Sequence, residues 1–339
     1  MMKRRITILL AALLTSAMPT PVAAQVAPAA LPTLGLQNWP LPDTLSPEGK
    51  AAAAAAAAQA MPDPLPPLPD IRAFIGAMQA SMGAALQKRY EVRVEEATIA
   101  GVPVRIIYPK GVSALGKGSV LLNLHGGGFA IDSGSLTETI PIAARTGLPV
   151  VAVLYRLAPE NPYPAALDDA LAVYQALEKE RGAKQIAVFG TSAGAVLSGQ
   201  LVAKLASSGR PMPAALGFLS GSADLGVRGD SESWMPGPGF DWVAAYAGKT
   251  AMTDPILSPI RGDVSKFPPT LLLTSSRDFL LSPTAIFARA LTEKGVDARL
   301  VVFDGLPHAF WAYMAAPESD QANELVARFL KDRLDVPAK

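Results

Sequence analysis

The amino-acid sequence predicts an α/β fold, in which a mostly parallel sheet is covered by helices on both faces. Two observations support this prediction. From residue 120 onward, short apolar runs typical of buried strands alternate with segments of helical character, and such alternation is typical of parallel sheets. Half of the residues are hydrophobic, so the chain can bury a sizeable core in one large domain or two small ones.

The individual elements follow from apolar runs, helical spacing and turn residues. We predict strands over residues 90–97, 102–108, 120–124, 150–154, 185–189, 216–219, 271–274 and 299–303. We predict helices over residues 70–86, 165–181, 195–207, 284–294 and 320–334. Residues 224–265 interrupt the alternation with Gly, Pro and Trp, so we expect an insertion above the edge of the sheet.

The N-terminus has the pattern of a signal peptide. Basic residues at positions 3–5 precede an apolar stretch over residues 6–18, which is too short to span a bilayer comfortably. Small residues follow at positions 22–24, so we expect cleavage near Ala24 and removal of residues 1–24. The protein is then exported, periplasmic or secreted, with no stable membrane anchor. The alternative is that the segment is retained as an anchor.

Residues 25–69 are predicted to form a loosely packed arm or linker. Ten of the chain's 31 prolines fall here, and proline removes backbone donors and blocks helices. The alanine run over residues 51–58 could form a short helix, with Ser46 as its N-terminal cap and Pro47 at its first position. We expect this arm to contribute little to the core.

The predicted helix over residues 70–86 has one apolar face, because apolar residues recur along it at spacings of three and four. This face either packs on the main core or forms a lid over a binding site. Its residues are Ile71, Phe74, Ile75, Met78, Met82, Ala85 and Leu86.

Composition excludes several classes of function. Lysine plus arginine number 30 and aspartate plus glutamate 29, so nothing indicates nucleic acid or an anionic surface as a partner. Cysteine is absent, which excludes disulfides, thiolate metal sites and a thiol nucleophile. The two histidines are His125 and His308, and a mechanism that needs an imidazole must use one of them.

A nucleophile is indicated by the G-x-S-x-G sequence that extends from Gly190 to Gly194, between a predicted strand and a predicted helix. Small residues allow a sharp turn there, which holds the hydroxyl of Ser192 clear of the sheet. Taken alone the motif is weak, since a glycine-rich turn between a strand and a helix is common. Ser192 also needs a base to take its proton and an acid to orient that base.

The base and the acid are predicted from two loops at the carboxyl ends of strands. His308 follows the last predicted strand and Asp278 follows the strand before it, at the edge where open α/β sheets place their sites. Each residue alone could be an ordinary loop residue, but Ser192, Asp278 and His308 together have the chain order of a nucleophile–acid–base triad. Asp304, four residues before His308, is the rival acid and is more typical of a turn.

An oxyanion-binding loop is indicated by the three glycines that follow His125 at a strand end. Without side chains at residues 126–128, backbone N–H groups can approach a substrate oxygen. The N–H of Ala193, at the start of the helix after Ser192, is a further donor. His125 itself fits a structural role better than that of a base.

These motifs together resemble those of the hormone-sensitive-lipase group of α/β-hydrolases, which includes many bacterial family IV carboxylesterases. The resemblance covers roughly residues 70 to 335. It is carried by His125–Phe129, Tyr155–Glu160, Tyr163–Asp169 and Gly190–Gly194, and is extended by Ser258-Pro259, Pro268-Pro269 and the loops of Asp278 and His308.

The resemblance implies an α/β-hydrolase domain over residues 70–335, with a small helical cap from about residues 70–89 and 224–265. It implies a hydrolase without metal or organic cofactor that prefers short or medium acyl chains. It also implies a role for each site residue: Ser192, Asp278 and His308 as the catalytic triad, and Gly127, Gly128 and Ala193 as the oxyanion hole.

Two departures from the family pattern stand out. Many members have Asp or Glu before the nucleophile, where this chain has Thr191, although a Thr variant is familiar. A second acid that tends to follow the triad Asp is replaced here by residues 281–283, so its support is missing or comes from elsewhere. We interpret Arg156, Glu160 and Asp169 as a structural polar network.

The sequence thus predicts an esterase that cleaves small-molecule carboxylic esters through an acyl-enzyme. A lactonase or an amidase could use the same residues, because pocket shape selects the substrate. A third alternative is a hydrolase-fold binding protein without turnover, against which the intact set of site residues argues. The sequence leaves the oligomeric state open.

Overall fold

The computed structural model describes residues 40–58, 65–234 and 241–334. Its strands are β1 (Arg93–Ile99), β2 (Val102–Tyr108), β3 (Val120–Leu124), β4 (Val150–Val153), β5 (Ile186–Thr191), β6 (Ala215–Leu219), β7 (Thr270–Ser275) and β8 (Ala298–Phe303). Its helices are α1 (Pro47–Ala58), α2 (Leu68–Tyr90), α3 (Thr139–Thr146), α4 (Ala165–Arg181), α5 (Ala193–Ser207), α6 (Trp242–Ala247), α7 (Leu281–Glu293), α8 (Phe310–Tyr313) and α9 (Pro317–Asp332). The predicted signal peptide, residues 1–24, lies outside the described residues.

The eight strands form one sheet in the order β1-β2-β4-β3-β5-β6-β7-β8. β1 and β2 pair antiparallel, as do β2 and β4, and the other neighbours pair parallel. Every residue of β3 to β7 is buried, as expected for parallel strands covered on both faces, whereas the edge strands β1 and β8 are partly exposed. The predicted mostly parallel α/β sheet is confirmed.

Helices cover both faces of the sheet and bury two apolar clusters. On one face, α4, α5 and α7 pack on residues such as Val188 and Phe218. On the other face, α3 and α9 pack on residues such as Ala187 and Phe189. Successive residues of a strand point to opposite faces, so β5 contributes to both clusters. No helix of the described chain is long and apolar enough to cross a membrane.

The second helix is longer than predicted, and Phe74 does not lie on its packed face. Its last residue is Tyr90, where a β-strand was predicted. The residue that caps it is Glu91, whose φ of 53° is left-handed. Its buried residues are Gln79 and Gly83, whereas Phe74, predicted on the apolar face, is 70% exposed. The other large apolar residues of the predicted face are half-buried on the same side of α2 as Gln79 and Gly83, so this face does pack on the domain and only Phe74 and Ala85 lie outside it.

The described part of the proline- and alanine-rich arm packs on the domain, contrary to the prediction of a loose arm. The alanine run forms α1, and the N–H of Gly49 donates to Ser46 Oγ (2.9 Å), the predicted cap. The carboxylate of Glu318 on α9 accepts from the Ser46 N–H (2.6 Å), and Leu45 is buried. Polar groups make the hydrogen bonds, and isolated apolar residues such as Leu45 and Ala53 enter the core, so the sequence shows no periodic apolar pattern here. The boundaries of the predicted domain and cap stay predictions.

Candidate active site

Ser192 stands at the turn between β5 and α5, with φ 58° and ψ −123°. A non-glycine residue in such a conformation is strained by about 1–3 kcal/mol, and surrounding contacts must hold it. A Cβ on Gly190 or Gly194 would collide with the backbone oxygen of Leu124, so the flanking glycines allow β3 and the turn to approach closely. The N–H of Ser192 donates to the carbonyl of Leu219 on β6 (2.9 Å), which fixes the turn against the neighbouring strand.

His308 and Asp278 meet above the carboxyl ends of β7 and β8, as predicted. Nδ1 of His308 lies 2.9 Å from Asp278 Oδ1 and 3.1 Å from Oδ2. With Nδ1 occupied by the carboxylate, Nε2 is the ring nitrogen that can accept a proton. The ring of Phe279 packs against the imidazole, with centroids 4.5 Å apart.

The carboxyl group of Asp278 is fully buried and held by several donors. The Leu280 N–H donates to Oδ1 (2.8 Å), and the hydroxyl of Ser220 donates to Oδ2. Burial acts to raise the pKa of Asp278, but the charge and hydrogen bond of His308, with the bonds from Ser220 and Leu280, keep it below its ordinary value. Asp278 is therefore an ionised partner for a histidine that becomes charged.

The rival acid Asp304 has other partners. Its carboxylate accepts from the hydroxyls of Thr44 (2.7 Å) and Ser276 (3.0 Å), near the surface. These contacts join the arm to the two loops that carry Asp278 and His308. Asp304 thus shapes the loop, as the sequence indicated, and the carboxyl group beside His308 belongs to Asp278.

The glycine loop after β3 borders the same pocket as Ser192 and His308. Gly127 has a φ of 111°, and a Cβ there would collide with the carbonyl oxygen of Ile131. The carbonyl of Gly127 accepts from the N–H groups of Ala130 (3.1 Å) and Ile131 (3.0 Å), which hold the loop in a tight turn. Glycine is required because this turn needs both a positive φ and close backbone packing.

The pocket that these residues share has a volume of about 240 Å³. Its lining combines the reactive groups with apolar and aromatic side chains. The lining residues are Gly126, Gly127, Gly128, Ile131, Ser133, Glu138, Thr191, Ser192, Trp242, Phe279, His308, Ala309 and Tyr313. Trp242, from the predicted cap insertion, therefore reaches the pocket, and no residue of α2 is among those that line it.

His125 is buried and stacks on Tyr155, with ring centroids 4.2 Å apart. Its Nδ1 lies 2.8 Å from the carbonyl oxygen of Gly126, and the Tyr155 hydroxyl donates to the carbonyl of His125 (2.7 Å). These contacts fix the first residue of the glycine loop. They agree with the structural role predicted for His125.

The polar network predicted for Arg156, Glu160 and Asp169 divides into two ion pairs. Arg156 binds Asp169, with Nη2 2.9 Å from Oδ1. Glu160 instead accepts from both terminal nitrogens of Arg72 on α2, each at 2.8 Å. The second pair attaches α2 to the loop before α4, and no pattern in the sequence indicates a partner so distant in the chain.

Two further polar residues at the site were missed. Ser220 follows β6 and contacts Asp278, and its position at a carboxyl strand end was the signal that could have identified it. Glu138 lies beside the pocket and precedes α3, a helix that was not predicted. No cluster of three or more His, Asp or Glu side chains able to hold a metal ion occurs in the described residues.

Comparison with known proteins agrees with this fold. Residues 121–312 match the protein family described as alpha/beta hydrolase fold. The chain is 31% identical over 252 residues to the ethyl acetate hydrolase of Pseudomonas putida, covering 69% of this chain and 79% of that protein. The fold and these matches show that the chain belongs to the alpha/beta hydrolase family.

Similarity to solved structures identifies the class of enzyme within this family. The crystal structure of the esterase E25 superposes with a TM-score of 0.72 at 31% identity, covering 87% of this chain and 99% of that one. A hormone-sensitive lipase from a metagenome library superposes with a TM-score of 0.71 at 29% identity, covering 82% of this chain and 95% of that one. The predicted resemblance to hormone-sensitive-lipase-like esterases is confirmed, and with it the enzyme class of carboxylic ester hydrolase.

Proposed function

We propose that the protein hydrolyses small carboxylic esters through an acyl-enzyme, with Ser192 as nucleophile, His308 as general base and Asp278 as the acid that orients it. The observation that carries this proposal is the hydrogen bond between Asp278 and His308, beside a pocket that Ser192 also borders. An imidazole held in this way has the correct tautomer to accept the serine proton.

In the proposed first step, Nε2 of His308 takes the proton of Ser192 Oγ while Oγ bonds to the carbonyl carbon of the ester. The carbonyl electron pair moves onto oxygen and forms an oxyanion. As this pair returns, the bond to the alcohol oxygen breaks and the alcohol leaves with the proton from His308. His308 then takes a proton from a water molecule, whose oxygen bonds to the acyl carbon. As the bond to Ser192 Oγ breaks, His308 returns the proton to Oγ, and the carboxylic acid leaves.

The oxyanion is assigned to the backbone N–H groups of Gly127, Gly128 and Ala193. The two glycines border the pocket, and Ala193 is the first residue of α5, where the N–H groups of a helix lack partners within the helix. Fixed donors stabilise charge that develops in the transition state, and removal of one such donor typically costs about 10²- to 10³-fold in rate.

Short to medium acyl chains fit the site best. The volume of about 240 Å³ lies below the range of about 300–1,000 Å³ that is typical of pockets for drug-sized ligands. Trp242, Phe279 and Tyr313 supply an apolar lining for a small acyl or alcohol group. Lactones and anilides could enter the same pocket, so the alternatives of a lactonase or an amidase are decided by measurement.

The test is a panel of p-nitrophenyl esters of increasing acyl length, with a lactone and an anilide beside them. We expect kcat/KM to be highest for a short or medium ester and lower for the other two. A lactone preferred over every ester would indicate the lactonase. If purified, folded protein turned over none of them, the binding-protein alternative would replace the esterase.

Export to the periplasm or the medium is also proposed, on the basis of the basic and apolar N-terminus alone. The expected mature protein begins at Gln25. Mass spectrometry of the exported protein measures its first residue. Full-length protein found only in the membrane fraction would favour the retained anchor instead.

A further inference from the structure

Glu138 is a buried acid beside the active site that the proposed reaction does not use. It precedes α3, is 3% exposed and lies among the residues around the pocket. A Cβ on Gly134 would collide with its carboxyl group, so the turn before α3 leaves room for this side chain. A buried carboxyl group is costly unless it is neutral or well bonded, which calls for an explanation of its presence here.

The carboxyl group of Glu138 interacts with two segments of the site. Nδ2 of Asn123 on β3 donates to Oε2 (3.4 Å). The backbone N–H of Gly126, in the glycine loop, and the side chain of Thr191, next to Ser192, border the same pocket and interact electrostatically with this carboxyl group. One side chain therefore contacts both the glycine loop and the turn that carries the nucleophile.

Thr191 extends these contacts to the segment after His308. The indole N–H of Trp311 donates to the hydroxyl of Thr191 (3.1 Å). A hydroxyl that accepts from Trp311 can still donate its own proton, and the carboxyl group of Glu138 is the acid with which Thr191 interacts. The carbonyl of Trp311 in turn accepts from Asn323 of α9 (3.1 Å), which anchors this end of the network.

Burial decides the charge of Glu138. It raises the pKa of Glu138 to about 8, although the interactions with Asn123, Gly126 and Thr191 act in the opposite direction. Oε1 has no hydrogen-bond partner among the described residues, which disfavours an ionised group, since a bare carboxylate oxygen is costly to bury. Glu138 therefore carries its proton at neutral pH.

Other titratable groups face this carboxyl. The charge of Asp132 raises the pKa of Glu138 further, although Arg105 pairs with Asp132 (2.7 Å). Tyr155 and Tyr313 are buried, and burial raises the pKa of each hydroxyl, so both stay neutral across the range in which Glu138 titrates. His308 borders the same pocket as Glu138.

We propose that Glu138 is a positioning residue that holds the glycine loop and the nucleophile turn in the arrangement the reaction needs. The assignment rests on the serine mechanism proposed above. It has a consequence for pH dependence. An ionised Glu138 would place a negative charge beside the N–H groups that stabilise the oxyanion, so turnover falls when this group loses its proton.

The test compares three variants on p-nitrophenyl acetate between pH 6 and 9.5. Glu138→Gln keeps the shape and stays neutral, Glu138→Leu removes the hydrogen bonds, and Glu178→Gln makes the same chemical change at a residue that pairs with Arg210 away from the pocket. We expect wild type and Glu178→Gln to lose kcat as pH rises through about 8, and Glu138→Gln to lose that decline.

The size of the change in kcat distinguishes a positioning role of Glu138 from a role in packing alone. At pH 7 we expect Glu138→Leu to lower kcat roughly 10-fold, as for the loss of buried hydrogen bonds, with KM nearly unchanged. The kcat of Glu138→Gln should stay within about threefold of the wild-type value, because the amide oxygen can still accept a hydrogen bond. A wild-type kcat for Glu138→Leu, or a wild-type alkaline decline for Glu138→Gln, would overturn the proposal.

Two further measurements keep the test decisive. If Glu138→Leu does not fold, Thr191→Val tests the same interaction by removing the hydroxyl of Thr191, and Thr191→Ser restores that hydroxyl. A wild-type kcat for Thr191→Val counts against the proposal. Infrared difference spectra of wild type minus Glu138→Gln need no substrate. We expect a protonated-carboxyl band at pH 6 that disappears by pH 9.5, and its absence at pH 6 overturns the neutral acid even if no ester is hydrolysed.

Discussion

At the scale of single residues, the site is defined by which carboxyl group lies behind His308. Asp278 is fully buried and bonded to Nδ1, whereas Asp304 is near the surface and bonded to two hydroxyls. Only a carboxylate in contact with the imidazole can stabilise the imidazolium that forms during attack. The two acids therefore offer a matched comparison.

We expect Asp278→Asn to lower kcat by as much as ~10⁴-fold, because the amide favours the wrong histidine tautomer. Asp304→Asn should lower kcat by less than about threefold, since its contacts only support the loop. Steady-state kinetics on p-nitrophenyl acetate measures both. The assignment of the acid fails if Asp304→Asn proves the more damaging change.

Glu138 also predicts a pH dependence of stability. Its pKa is 4.5 in an ordinary environment and about 8 in the fold, so between these values the folded state binds one more proton than the unfolded state. The free energy of unfolding then falls as pH rises through this window, by about 1.4 kcal/mol per pH unit.

Urea denaturation at pH 5 and pH 8.5 measures this effect. Glu138→Gln has no proton to lose, so its stability relative to wild type should rise between the two pH values, by about 4 kcal/mol at most. An equal loss of stability in both proteins would mean that Glu138 does not titrate in this range.

The sequence predicted Ser192, Asp278 and His308 because each stands in a local pattern at a strand end. Ser220 and Glu138 could not be predicted in the same way. Ser220 acts through a contact with a residue 58 positions away, and Glu138 joins segments that only the sheet brings together. Single polar residues carry no sequence signal of such contacts.

At the scale of elements, α2 shows that a polar residue can take part in the packed face of a helix. Gln79 is buried, donates through Nε2 to Thr137 Oγ1 (3.0 Å), and accepts at Oε1 from the Thr137 N–H (3.3 Å). The spacing of apolar residues correctly predicted a helix. It misplaced Phe74, which lies beside the packed face and is 70% exposed, and it could not indicate that Gln79 is buried there.

We expect Gln79→Leu to destabilise the protein by about 1–3 kcal/mol, because it leaves buried groups of the turn unpaired. Phe74→Ser on the same helix is the control and should change stability by less than about 0.5 kcal/mol, since the side chain is 70% exposed. Urea denaturation compares the two. A larger loss for Phe74→Ser would show that the ring packs on something in solution.

The arm is the element on which composition was most misleading. Arg277, next to Asp278, donates to the carbonyl of Pro40, and Thr44 donates to Asp304 in the loop that leads to His308. These contacts tie the arm to both loops of the proposed acid–base pair. The proline content correctly indicated that the arm has few backbone hydrogen-bond donors. It did not indicate that side chains such as those of Arg277 and Thr44 would donate hydrogen bonds between the arm and the domain.

We therefore expect a chain that starts at Pro69 to melt several degrees lower than one that starts at Pro40, and to have a lower kcat/KM for p-nitrophenyl acetate. The comparison keeps every contact of Pro40, Thr44 and Ser46 in the control. Melting temperature and kinetics are measured on both. Equal values would show that the arm contributes little, as its composition suggested.

At the scale of the whole molecule, strand order brings distant segments together. β5 lies in the middle of the sheet and β8 at its edge, three strand spacings or about 14 Å away. The loop after β8 must therefore reach back across β7 and β6 to bring His308 to the pocket of Ser192. Alternating elements predicted the parallel sheet, but the order of its strands does not follow from alternation.

The most direct test of the account is Ser192→Ala, measured on p-nitrophenyl acetate beside wild type. The serine is already held by its strained turn, so alanine should leave the melting temperature nearly unchanged. We expect kcat to fall by ~10⁴- to 10⁶-fold, as in other enzymes that depend on a serine triad. A folded Ser192→Ala protein that kept a tenth of the wild-type activity would contradict the central claim.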